Sequence, residues 1–290
     1  MTAILSNLQI EILQILVTIC SVSFLYCFIV GEITRNNSQM DKLWSLLPPV
    51  YLWVMAAMGG MTARLVVMAV LSTLWGARLT YNFGRKGAYS IKFWSGEEDY
   101  RWKWLRETRI FQSKLVWAVF DLLFIALYQN VLVLLTTIPA LFCVGSAVPF
   151  GWLDVVACVL VMSFLVIETV ADEQQWKFQT AKWGMIKSGR KLDELPAPYC
   201  KGFNTTGLWA VSRHPNYLGE QGIWASFYIF SIAAGAGVLN WSIAGALLLI
   251  MLFQGSAWLG ELITSSKYPA YADYRKKVSK FIPLKSLVRK

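Results

Sequence analysis

Residues 212–220, reading SRHPNYLGE, gather the side chains of this sequence that are best suited to chemistry. They include the chain's only histidine, His214, with Arg213 beside it. Pro215 follows, a residue suited to the first position of a helix because its missing N–H would be unpaired there. Asn216 and Glu220 are four apart and share one helical face. Guanidinium, imidazole, amide and carboxylate thus converge on a predicted helix N-terminus, whose unpaired N–H groups and dipole favour anionic groups such as phosphates. Anchoring at a membrane interface accounts for Arg213, His214 and Tyr217. It leaves Glu220 unexplained, a carboxylate one turn inside an apolar run.

Three further groups carry potential chemistry. Glu168, Asp172 and Gln175 are spaced by four and three at the end of an apolar run and lie on one helical face. Carboxylates so close to hydrocarbon should face a protein interior or a polar cavity, unless the helix end is solvated. Lys267, Tyr271 and Tyr274 place a cation and two phenols near the C-terminus, where each suits an interface anchor. Arg78 and Tyr81 stand three apart at a helix end, where they either serve a site or anchor the helix. Asp121 lies inside an apolar run, as a pocket residue or as half of a buried pair with Arg64 or Arg78. The five cysteines form no CxxC pair and no zinc spacing, so neither a disulfide framework nor a metal is expected. The sequence contains no G-x-G-x-x-G after a strand, no Walker loop and no G-x-S-x-G.

The elements that position these residues read as membrane helices. Of 290 residues 56% are hydrophobic and the mean hydropathy is +0.48, more apolar sequence than a soluble core of this size needs. Runs near the ~20 residues required to cross a bilayer predict seven spans, at about 8–30, 43–60, 62–83, 115–143, 152–170, 217–237 and 240–259. The second and third are joined only by a Gly-Gly-Met turn, which predicts a tight hairpin. Residues 84–114, 171–216 and 260–290 hold 23 of the 27 Lys and Arg residues. All three fall on one side of a seven-span chain, so the net charge of +10 reads as topology rather than nucleic-acid binding. The prediction is an all-α polytopic membrane protein with its N-terminus outside and its C-terminus cytoplasmic. It is one domain over residues 1–290, with a cofactor-binding part from about 150. The first apolar run lacks a basic leader and is too long for a cleavable signal peptide. The sequons at Asn36 and Asn204 fall on the cytoplasmic side and should not be glycosylated. The segment GEEDYRWKWLRE suits a helix lying in the interface.

The run SRHPNYLGE before an apolar helix, with KYPAYADYRK and FIP near the C-terminus, resembles the C-terminal domain of the steroid 5α-reductase superfamily, particularly its uncharacterised branch. Characterised members are membrane reductases that bind NADPH between helices. The related isoprenylcysteine carboxyl methyltransferases carry a similar RHP-x-Y-x-G run and bind S-adenosylmethionine. A serine is usual there at the place of Asn216, and the glutamate is missing, so Asn216 and Glu220 favour the reductases. The resemblance implies that NADPH is held by Glu168, Asp172, Arg213, His214, Asn216, Tyr217, Glu220, Lys267, Tyr271 and Tyr274. Asp172 matches a family aspartate, whereas Glu168 replaces an amide. On the substrate side, steroid reductases use a glutamate on the second span and a tyrosine on the third. Here the second span has no carboxylate, the nearest being Asp41, and Trp75 stands where the tyrosine would fall. Asp41, Arg78 and Tyr81 are therefore the catalytic candidates, unless the substrate is not a steroid enone.

The expected function is NADPH-dependent reduction of a carbon–carbon double bond in a sterol-like or polyprenoid lipid. The partners are then the bilayer and a lipophilic small molecule, with no nucleic acid and no metal. The membrane would be the endoplasmic reticulum in a eukaryote or the inner membrane in a bacterium. The rivals are an S-adenosylmethionine-dependent lipid or prenylcysteine methyltransferase and an inactive protein of the same fold.

Overall fold

The computed structural model describes residues 5–287; Arg289 and Lys290, counted above among the tail's positive charges, lie outside the described residues. The described chain is helical. In order it forms α1 (Asn7–Thr34), α2 (Gln39–Trp44), α3 (Leu47–Met58), α4 (Ala63–Gly84), α5 (Tyr100–Arg106) and α6 (Lys114–Cys143). There follow α7 (Trp152–Lys187), α8 (Pro215–Ala233), α9 (Ile243–Lys267), α10 (Tyr271–Lys277) and α11 (Leu284–Leu287). Helix α6 has a π-helical stretch at Asp121–Tyr128 and closes in a 3-10 turn at Ile138–Cys143. Among the described residues there is no β-strand, only a parallel bridge between Ser212 and Ser279.

Five helices, α1, α4, α6, α7 and α9, are long and apolar enough to cross a membrane. The sequence predicts seven spans, and the difference has a local cause at each of the other two. Pro48 and Pro49 occupy the first turn of α3 and fix its start. The run at 43–60 is thereby divided into α2, a turn at Ser45 and a 12-residue helix. At ~1.5 Å per residue, α3 covers about 18 Å of a ~30 Å hydrocarbon core. Helix α8 begins at Pro215, as the sequence predicts, but Asn216, Glu220 and Gln221 interrupt the apolarity of its 19 residues.

The chain divides into two units. The first comprises Met1–Val161 and Trp224–Leu249. In it α1 starts with a reciprocal cap: Gln9 N–H donates to Ser6 Oγ at 3.2 Å and Ser6 N–H to Gln9 Oε1 at 2.9 Å. The predicted α3–α4 hairpin is present. Gly60 and Met61 take left-handed backbone there, with φ of 80° and 52°, and Met61 N–H closes the turn on Ala56 O at 2.8 Å. A Cβ on Gly76 would lie 2.4 Å from Ser45 O, so only glycine lets α4 approach that turn.

Arg64 is paired with Asp154, not with Asp121. Its Nε and Nη2 reach the carboxylate at 2.6 and 2.8 Å, and its remaining donors reach the carbonyls of Val148, Pro149 and Ala233. Asp154 also accepts from Gly151 N–H at 2.8 Å, so this buried pair is satisfied on both sides. Asp121 is buried beside Gly31 and Asn37. Trp75 is fully buried, edge-on to Trp224 with ring centroids 4.9 Å apart.

The second unit comprises Met162–Ile223 and Ile250–Lys290. It contains the later turns of α7, the polar connection to α8, the first turns of α8, and the chain from within α9 onward.

Candidate functional site

Two glycines on α8 bring the acidic residues of the second unit together. A Cβ on Gly219 would lie 2.6 Å from Glu168 Cβ and 2.9 Å from Phe164 O, and one on Gly222 would overlap the Phe164 ring at 2.3 Å. Neither neighbour can easily give way, so glycine at both positions permits α8 to press against α7. At this contact Asn216 Nδ2 donates to Asp172 Oδ1 at 3.1 Å. Glu168, Asp172 and Glu220 are all buried, at 4%, 9% and 3% exposure. Glu168, Asp172 and Asn216 therefore share one crossing, and Glu220 is buried one turn along α8 from Asn216. The amide's other end, Asn216 Oδ1, is buried without a hydrogen-bond donor among the described residues. Gln175 Oε1, a turn further along α7, is likewise an unused buried acceptor. The crossing thus offers acceptors to a ligand that brings N–H or O–H donors.

Arg213 and His214 face a different partner. Arg213 Nε donates to Glu261 Oε1 at 2.8 Å, and His214 Nε2 lies 3.0 Å from the same oxygen. Arg275 Nε approaches Glu261 Oε2 at 3.0 Å. Arg213 Nη1 donates to the carbonyls of Arg275 and Val278 at 3.0 and 2.6 Å. The backbone repeats the connection, with Arg213 N–H donating to Ser279 O and His214 N–H to Lys280 O. The segment ahead of α8 is thereby strapped to the C-terminal segment. Burial is the main influence on His214 and outweighs Glu261, so the imidazole is held below the ordinary histidine range. Its ring stacks on Tyr217 at 5.3 Å, and Tyr217 packs edge-on against Phe253 at 4.7 Å.

The tail aromatics pack on Phe203. Tyr271 meets its ring edge-on at 4.9 Å and Tyr274 lies at 5.4 Å. The Tyr274 hydroxyl donates to Trp209 O. Burial pushes both phenols above their ordinary range. Lys267, the last residue of α9, is exposed and has no hydrogen bond or ion pair among the described residues.

Sequence reasoning missed Lys182. It is buried at 2% exposure, donates Nζ to Gly202 O at 2.8 Å, and lies 4.9 Å from the Trp183 ring centroid and 5.5 Å from that of Tyr268. Gly202 has φ 81°, and a Cβ there would overlap the Tyr268 ring at 2.2 Å. A lysine in the polar, basic end of a long helix gives no signal of such burial in the sequence.

The substrate-side candidates lie in the first unit. Asp41 Oδ2 accepts from Trp102 Nε1 at 2.8 Å. The connection after α4 closes over α2 around it: buried Lys42 donates to the carbonyls of Phe93 and Ser95, and Gln39 Nε2 to Trp94 O. Burial, with Asp99 nearby, raises Asp41 above the usual carboxylate range. Tyr81 is 67% exposed, with Arg85 over its ring at 5.4 Å. No hydrogen bond joins Asp41 to Tyr81 among the described residues. Arg78, three residues before Tyr81, is half-buried on α4.

A family described as "Protein of unknown function (DUF1295)" matches residues 27–278. An uncharacterised protein of Schizosaccharomyces pombe is 38% identical over 283 residues, covering 90% of this chain and 79% of its own length. No solved structure matches the chain.

Proposed function

The chain belongs to the DUF1295 family of proteins of unknown function, and from that starting point we propose that it is an NADPH-dependent membrane reductase of the steroid 5α-reductase type. Its substrate class is a sterol-like or polyprenoid lipid carrying a reducible carbon–carbon double bond. The observation that carries the reading is the α7–α8 crossing. Asn216 is fixed on Asp172 at 3.1 Å while its own carbonyl oxygen stays buried and unused, with Glu168 and Glu220 buried alongside. Asn216 Oδ1 and Gln175 Oε1 are buried acceptors there that a ligand's donors can meet. They suit the carboxamide N–H2 and ribose hydroxyls of a dinucleotide. NADPH, when bound, supplies the hydride.

Asn216, Glu220, Glu168 and Asp172 would accept from the nicotinamide and ribose. Lys267, a cation without a partner among the described residues, would meet a phosphate. Arg213 and His214 act indirectly, through Glu261, by holding the start of α8 against the tail. Asp41 takes the role of proton donor to the substrate carbonyl, since a carboxyl raised by burial can carry a proton where an ordinary one cannot. Arg78 and Tyr81 stay with it as substrate-side candidates.

The proposed topology has seven spans, with α3 and α8 completing the five long helices, an outside N-terminus and a cytoplasmic C-terminus. It rests on the placement of 23 of 27 positive charges. The membrane would be the endoplasmic reticulum in a eukaryotic cell or the inner membrane in a bacterium.

Thermal melting of the purified chain with NADPH and, separately, with S-adenosylmethionine tests the reading. NADPH at ~100 times its dissociation constant should stabilise the fold by about 2.7 kcal/mol. Glu220→Gln and Asn216→Ala should each weaken NADPH binding by about 1.5–3 kcal/mol. Together they should be less than additive, because both serve one ligand group. A shift with S-adenosylmethionine alone transfers the site to methyl transfer; no shift with either removes the cofactor.

A further inference from the structure

A second cluster, in the first unit, has no part in the reductase reading. Helix α1 runs antiparallel to α6. Gln9 Nε2, near the start of α1, donates to the carbonyls of Leu141 and Val144 at the far end of α6, at 3.0 and 3.2 Å. Arg35, capping α1, and Lys114, opening α6, therefore stand at the same end of the helix pair. A cleft of about 310 Å³ lies there, lined by Arg35, Arg106, Phe111, Gln112, Lys114 and Trp117.

The three cations of this cleft are unequally engaged. Arg106 is committed to Glu98, donates to Asn37 Oδ1 at 2.6 Å, and lies over the Trp117 ring at 5.1 Å. Among the described residues the Arg35 side chain reaches only Glu32, at 3.4 Å, from a side chain 62% exposed, a contact that contributes little. Lys114 is exposed and makes no hydrogen bond or ion pair among the described residues. Lys114 and the loosely held Arg35 are thus the two cations of this cleft open to an anion.

The surroundings say where this charge sits. Lys114 is the first residue of a helix apolar enough to cross a membrane, and Ile110 and Leu115 beside it are 72% and 74% exposed. The cleft thus combines two accessible cations, an amide and two aromatic rings beside exposed apolar side chains. Basic pockets in this position suit anionic headgroups, and aromatic rings suit the interfacial zone.

We propose that this cleft binds the phosphodiester of an anionic membrane lipid. Lys114 and Arg35 meet its oxygens, Gln112 donates an amide N–H, and Phe111 and Trp117 flank the glycerol carbons. Two accessible cations suit the two non-bridging oxygens of a phosphodiester. Glu32 and Glu98 oppose a headgroup bearing several phosphates.

The test is thermal melting of the purified full chain in neutral detergent. The additives are short-chain phosphatidylglycerol, the matching phosphatidylcholine and inorganic phosphate, each at equal concentration. Phosphatidylglycerol should raise the melting temperature of the parent, and the other two should not. The exposed-site variant R35Q/K114Q should melt like the parent without lipid and need about 10-fold more phosphatidylglycerol for the same shift. K114R alone should retain the parent response. An equal response to inorganic phosphate would make this a small-anion site, and an equal response to phosphatidylcholine would make it an acyl-chain groove. Either result, or an unchanged response in R35Q/K114Q, overturns the proposal. Should the double variant melt early, K114Q alone decides by the same comparison.

Discussion

Arg213 and Glu261 meet at 2.8 Å in the buried heart of the second unit, 48 residues apart in sequence. Glu261 also takes His214 and Arg275, while Arg213 spends two further bonds on tail carbonyls. An arginine that looks, in sequence, like a phosphate ligand is here a fastening between two segments. Glu261→Gln should destabilise the protein by about 3–5 kcal/mol, because it leaves a buried guanidinium uncompensated. Melting in detergent reads this directly. Arg213→Lys should also destabilise the protein, since one ammonium cannot reproduce the planar fork. A loss under 1 kcal/mol for both variants would show that the network carries no stability.

Gly219 permits the α7–α8 crossing. Gly219→Ala should cost about 1–3 kcal/mol, since the new Cβ meets Glu168 Cβ and a backbone oxygen rather than a movable chain end. Gly255→Ala on α9 is the control. Nothing lies within 4 Å of its added Cβ, so that change should be neutral or stabilise by up to ~1 kcal/mol. Equal effects at the two positions would contradict the close approach.

His214 makes stability depend on pH. Its folded value lies below the ordinary 6.5, held down by burial and by Arg213 and Lys280 against Glu261. Between those two values the unfolded chain binds a proton that the folded chain does not, so stability rises with pH there. The contribution is complete above about pH 6.5 and is lost as pH falls through the folded value. Melting temperatures from pH 7.5 to 5 should fall more steeply for the parent than for His214→Asn, a comparison that cancels the other titrating groups. Parallel curves would remove His214 as the cause.

Arg64 and Asp154 form the corresponding buried pair of the first unit. Arg64→Met and Asp154→Leu should each cost about 3–5 kcal/mol, by stranding the partner's charge. The double variant should recover part of the loss. Additive losses would mean that the two residues are not coupled.

Much of this molecule is visible in its sequence where the determinants are local. Pro215 starts a helix, Gly60 and Met61 turn one, and long apolar runs give α1, α4, α6, α7 and α9. The four-residue spacings of Glu168 with Asp172 and Asn216 with Glu220 put each pair on one helical face. What could not be read was pairing across sequence. Arg64 lies 90 residues from Asp154, and Asp121 offered itself as an equal partner. The role of Arg213 was hidden for the same reason. A guanidinium beside a helix start satisfies a phosphate or a carboxylate equally well, and only the fold brings Glu261 to it. The shortness of α3 was legible in Pro48 and Pro49, but hydropathy averaged over a window conceals it.

The strap between residues 212–214 and 278–280 gives the making of this protein an order. Val278 and Ser279 leave the ribosome 65 or more residues after Arg213, when α8 and α9 have already been synthesised. Until then the donors of Arg213 that end on Arg275 and Val278 have no carbonyl to meet, and Ser212 has no bridge. The second unit therefore closes from its C-terminal end. A nascent chain halted before Arg275 should hold Arg213 through Glu261 alone, with the start of α8 not yet latched to the tail.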